Sequence, residues 1–109
     1  MARRGCSIFA PLPAGDRPTA VVCVSDLIAI GALNDASAAG LRVGQDIAIT
    51  GYDDMPMSQY LTPSLTTVRQ PIATVGQQVV DLLLKQIKGQ PIVEKGILLE
   101  PELIIRESS

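Results

Sequence analysis

From Thr19 onward the chain divides into blocks whose hydrophobic spacing changes sharply at glycines, prolines and aspartates. "TAVVCVS" is a continuous apolar run closed by a turn signal, which predicts a parallel strand covered on both faces. Asp26 follows as the expected N-cap of a helix over "LIAIGALNDASAA", its carboxylate accepting the free amide hydrogens of the first turn. Gly40 is the expected left-handed stop, with Leu41 folding back over the helix end. The short connection "LRVGQ" leads to a second strand, "DIAITGYD", so strand, helix and parallel strand form a right-handed crossover unit.

Beyond the Asp53-Asp54 pair, "MPMSQYLTPS" reads as an irregular loop broken by Pro56 and Pro63, and "LTTVRQ" as a short extended segment before Pro71. Pro71 suits the first turn of a helix. Within "PIATVGQQVVDLLLKQIKG", Ile72, Val75, Val79, Leu82, Leu83 and Ile87 recur on one face, and Gly89 ends the pattern. "GILLEPELIIRESS" supplies one or two terminal strand pieces split by Pro101. Residues 1–18, with Pro11, Pro13, Gly15 and Pro18, show no periodicity and read as an irregular arm; residues 19–109 read as one α/β unit.

Composition narrows the function classes. The chain has 109 residues, 47% hydrophobic and 18% charged, which fits one globular domain with a modest core. No apolar run approaches the roughly 20 residues of a membrane helix. Nine basic residues are scattered, the net charge is −2 and only three residues are aromatic, so neither an electrostatic footprint nor a stacking platform for nucleic acid is visible. Cys6 and Cys23 make neither a disulfide framework nor a metal site, and Cys23 reads as a small buried residue. The start is too soon broken by proline for a signal peptide, and a cytoplasmic location is expected.

In open α/β sheets, ligands sit beyond the carboxyl ends of the strands. Both strand ends here finish in polar residues: Ser25-Asp26 and Asp53-Asp54. A metal or a catalytic carboxylate pair is one use of such residues. The chain has no histidine, no phosphate-binding glycine loop and no nucleophile motif, so no catalytic residue, metal or cofactor is assigned. Adjacent residues on an extended chain also point opposite ways, so Asp53 and Asp54 are not expected to face one substrate together. A single carboxylate suits another task, accepting charge-assisted hydrogen bonds from neighbouring hydroxyls of a polyol. One ligand-facing and one structural aspartate are therefore expected.

The motifs "SDLIAIGAL", "AGLRVGQDIAITGYDD", "YLTPSLTTVRQP" and "LLEPELIIRES", in this order and spacing from Arg17 to about Ser108, closely resemble the C-terminal part of LacI/GalR-family transcriptional regulators. The resemblance implies a partial periplasmic-binding-protein-like fold of type I, with two subdomains around an effector cleft and a chain that crosses between them three times. It implies that Asp53 binds effector hydroxyls and that Ser25, where many members have asparagine, touches the ligand. Gln70 matches a further cleft position, and Ile72 lies where several sugar-binding members place an aromatic ring. The helix after Asp26 and the loop "MPMSQYL" resemble homodimer elements, which makes Ala29, Leu33, Met57, Tyr60 and Leu61 the expected interface. The implied partners are a sugar-like effector and a second copy, with operator DNA reached only through a helix-turn-helix headpiece that these residues do not resemble. A truncated regulator or fragment is the expectation; a solute-binding protein and a ligand-free dimerisation module are the alternatives.

Overall fold

The computed structural model describes residues 15–92 and 96–109. The chain forms two compact units, one comprising the described residues up to Arg69 with Leu103–Ser109, the other Gln70–Glu102. Most of the expected arm lies outside the described residues; Gly15–Asp16–Arg17 form a turn and bend that lead into the first strand.

In the first unit, β1 (Ala20–Val22) runs into α1 (Asp26–Ala38) and then β2 (Ala48–Thr50). β1 and β2 pair in parallel, Ala20 opposite Ala48 and Val22 opposite Thr50, which completes the predicted crossover unit. A 3₁₀ turn (Pro56–Tyr60) and β3 (Thr67–Arg69) follow, and β3 pairs with β4 (Glu102–Ile104) in a second two-stranded sheet. β2 and the segment before β3 are drawn together by Gly51 N–H donating to Thr66 C=O at 2.9 Å. The C-terminal residues stitch the same region: Ser108 donates its hydroxyl to Ile49 C=O at 2.6 Å and accepts from Thr66 N–H at 2.8 Å.

The core comprises Cys23, Ala29, Leu33, Ala36, Ile47, Ile49 and Leu65. Ala29, Leu33 and Ala36 lie at helical spacing on the inner face of α1, and the two alanines let that face approach β2 closely. Each large aliphatic side chain buried here contributes about 1.5–3 kcal/mol of transfer free energy. α1 closes as the sequence predicts. Gly40 adopts φ +80°, and Leu41 N–H reaches back to Ala36 C=O at 3.0 Å.

β1 departs from expectation on one face. Cys23 is buried, but Val22 and Val24 are 83% and 78% exposed. The run is apolar on both sides, yet α1 covers only one side, and no described element covers the other.

The second unit is built on α2 (Ile72–Ile87), with Pro71 as its N-cap rather than inside its first turn. Its C-terminus ends with Gly89 at φ +68° and Gln90 N–H bonded to Lys85 C=O at 2.9 Å. The predicted stripe is present, but Ile72, Val75, Val79, Leu83 and Ile87 are all exposed, and no residue of the helix is buried. No helix among the described residues is long and apolar enough to cross a membrane.

Candidate functional site

Parallel pairing of β1 and β2 brings their carboxyl ends to one rim. Ser25 and Asp53 each stand one residue from the bond that joins these ends, Asp26 N–H to Tyr52 C=O at 3.0 Å. The structure thus brings Ser25 and Asp53 to neighbouring strand ends within the first unit, while Gln70 and Ile72 open the second.

The helix cap is Ser25, not Asp26. Ser25 has extended backbone angles, and its Oγ accepts from Ile28 N–H at 3.3 Å. Asp26 is the first helical residue and is fully buried. Its Oδ2 accepts from Met55 N–H at 2.7 Å and from the Ser58 hydroxyl at 2.5 Å, and its Oδ1 accepts from the Thr67 hydroxyl at 2.6 Å. A buried carboxylate is tolerable only when hydrogen-bonded in this way. Gly51 makes room for it, because a Cβ there would run into Asp26 Oδ1 and lie 3.1 Å from Leu65 Cδ2. This hub was missed in the sequence because Asp before an apolar-periodic helix is the usual cap. The signal that could have found it is Gly51 at the end of β2, since a glycine there marks close approach of another group.

The Asp53-Asp54 pair separates into two roles. Both adopt positive φ, 111° and 51°, in a tight bend after β2. Asp54 has a side chain only 10% exposed, held by Arg69 Nε at 2.7 Å and Arg106 at 2.9 Å. Burial pushes its carboxyl upward, but hydrogen bonds from the two guanidiniums and their charge outweigh that and hold it below the ordinary carboxylate value. Arg106 also donates to Leu65 C=O at 2.9 Å, so it is fixed at both ends of its fork. Asp54 is therefore a structural residue that ties the bend to β3 and to the chain just after β4. Asp53 is exposed, and its N–H donates to Val68 C=O at 3.0 Å.

The expected interface residues divide. Met57 and Tyr60 are exposed, Tyr60 by 79%. Ala29 and Leu33 are not surface residues, because they form the inner stripe of α1 against β2, and Leu61 is half-buried against the same core. The outward face of α1 instead carries Leu27 and Ile28. Among the described residues no group of His, Cys, Asp or Glu could hold a metal ion.

Residues 4–109 match the model of a periplasmic binding protein-like domain, reaching further towards the N-terminus than the motifs that begin at Arg17. The ribose operon repressor of Haemophilus influenzae is 44% identical over 97 residues, covering 89% of this chain and 29% of the repressor. A LacI-family regulatory protein from Chloroflexus aggregans superimposes with a TM-score of 0.83 at 48% identity, covering 89% of this chain and 34% of that one. The lac repressor dimer bound to operator and an anti-inducer gives a TM-score of 0.80 at 40% identity, covering 87% and 33%. The chain thus spans about a third or less of the proteins it matches.

Proposed function

Because the chain belongs to the periplasmic-binding-protein-like family, in the form carried by LacI-type regulators, we propose that it supplies the effector-sensing and dimerisation portion of a transcriptional regulator. The observation that carries this reading is the division of labour in the Asp pair. Asp54 is consumed by two arginines, whereas Asp53 is exposed at the carboxyl end of β2, beside the β1 end that carries Ser25. An exposed carboxylate there suits two hydroxyls of a sugar-like effector. The Ser25 hydroxyl accepts one bond from Ile28 and retains a proton to donate. Gln70 and Ile72 are further effector positions assigned from the family resemblance.

The mechanism is a shift of population between two arrangements of the regulator, with the effector binding one of them more tightly. Among the described residues no nucleophile–base pair accompanies Asp53, and binding is the role assigned to it. Operator contact is assigned to parts of the regulator other than these residues, and the location is the cytoplasm. Exposed Leu27, Ile28, Met57 and Tyr60 support association through α1 and the 3₁₀ turn, in place of Ala29 and Leu33.

Calorimetric titration with D-ribose, D-glucose, sucrose and adenosine tests the effector assignment. Asp53→Asn should weaken a binding sugar by about tenfold to a hundredfold, the loss expected for charge-assisted hydrogen bonds worth about 1.5–3 kcal/mol. Equal affinity of wild type and Asp53→Asn for a bound sugar would remove Asp53 from the site.

A further inference from the structure

Asp26 lies behind the proposed effector rim, not on it, yet its hydrogen bonds bracket the Asp53-Asp54 bend. Its backbone N–H fixes Tyr52 C=O before the bend, and its Oδ2 fixes Met55 N–H after it. Its Oδ1 accepts from the Thr67 hydroxyl, whose oxygen in turn accepts from Asp54 N–H at 3.2 Å inside the bend. Ser58 completes the hub and anchors the 3₁₀ turn that follows.

The bend needs such restraint. Asp53 at φ 111° and Asp54 at φ 51° occupy a region that is strained for an L-residue and persists only where surrounding bonds over-determine it. Asp26, Ser58 and Thr67 are all buried, so water does not readily substitute for a lost partner. We propose that Asp26 is a positioning residue for effector binding: through Met55 and Thr67 it holds the strained bend and thereby sets how Asp53 is presented. This rests on the effector role proposed for Asp53.

The Thr67 branch allows a test that spares the buried carboxylate. Thr67→Val keeps the shape and removes the hydroxyl, while Thr67→Ser keeps the hydroxyl. In the ¹⁵N-labelled full chain, Thr67→Val should speed amide exchange at Asp54 by about tenfold more than at core residue Ile49, and Thr67→Ser should restore it. In D-ribose titrations followed at the Asp53 amide, Thr67→Val should weaken binding several-fold and Thr67→Ser should return it to near wild type. Ser58→Ala, which removes a hub partner that does not touch Asp54, should leave the Asp54-to-Ile49 exchange ratio near wild type. Equal acceleration at Asp54 and Ile49 in Thr67→Val would overturn the proposal, since the hydroxyl would then stabilise the unit as a whole. Absence of any D-ribose response in wild type would overturn the effector clause alone, because the exchange contrast is read without ligand.

Discussion

Replacing Gly51 by alanine adds one methyl group at the most crowded point of the rim. The new Cβ would collide with Asp26 Oδ1, lie 3.1 Å from Leu65 Cδ2 and lie 3.2 Å from Asp26 Cα. Gly51 does not have positive φ, so the backbone itself tolerates alanine and the cost is steric. Overpacking of this kind costs about 1–3 kcal/mol. Relief requires the Asp26 carboxylate to move, which stretches bonds to Met55, Ser58 and Thr67 now at 2.5–2.7 Å. Losing one charge-assisted bond adds about 1.5–3 kcal/mol. A total of roughly 2.5–6 kcal/mol is a large share of the ~5–15 kcal/mol that stabilises a typical domain. Gly31→Ala is the control: it sits in α1 with nothing within 4 Å of its Cβ, and should stabilise by up to about 1 kcal/mol through helix propensity. Urea unfolding followed by circular dichroism measures both. Gly51→Ala within about 0.5 kcal/mol of wild type, the range of an ordinary surface change, would refute the packing described around Asp26.

Three further outcomes follow from the same structure. The Asp54 carboxyl is held below its ordinary value of 3.8, so its contribution is present above that pH and lost as pH falls through the folded value. The stability gap between wild type and Asp54→Asn should therefore close below about pH 4 and stay constant from pH 5 to 7, as read from unfolding midpoints. Burial pushes the Cys23 thiol up, so it should resist a thiol reagent in the native state and react in urea; rapid native labelling would contradict its place in the core. The exposed stripe of α2 and the exposed residues of α1 and the 3₁₀ turn should drive self-association of the 11.5 kDa chain, reduced by Val79→Lys or Tyr60→Glu; a monodisperse monomer in light scattering would count against it.

The crossover unit was legible because its signals are local. The apolar run "TAVVCVS", the glycine stop at Gly40 and the strand "DIAITGYD" each mark one element, and the short connection "LRVGQ" joins them as a crossover unit. The role of Asp26 was not legible, because its partners Met55, Ser58 and Thr67 lie 29 to 41 residues away and only tertiary packing unites them. The same limit hid the arginine partners of Asp54, one of them 52 positions distant. Ala29 and Leu33 were assigned to a partner surface, although their spacing with Ala36 already describes an inward stripe. Periodicity says which residues share a face, but not what that face meets. α2 makes the point from the other side, since its stripe was read correctly and is exposed.

The most direct test of the central claim is a thermal-shift screen of the chain against sugars, sugar phosphates and nucleosides, with Asp53→Asn and Asp54→Asn in parallel. A ligand at about a hundred times its Kd should add roughly 2.7 kcal/mol, a rise on the order of 10 °C for a domain of this size. The account predicts that Asp53→Asn loses the rise. Asp54→Asn should lower the midpoint before any ligand is added. A rise that survives in Asp53→Asn, or a midpoint that falls with Asp53 and not with Asp54, would contradict the division of roles between the two aspartates.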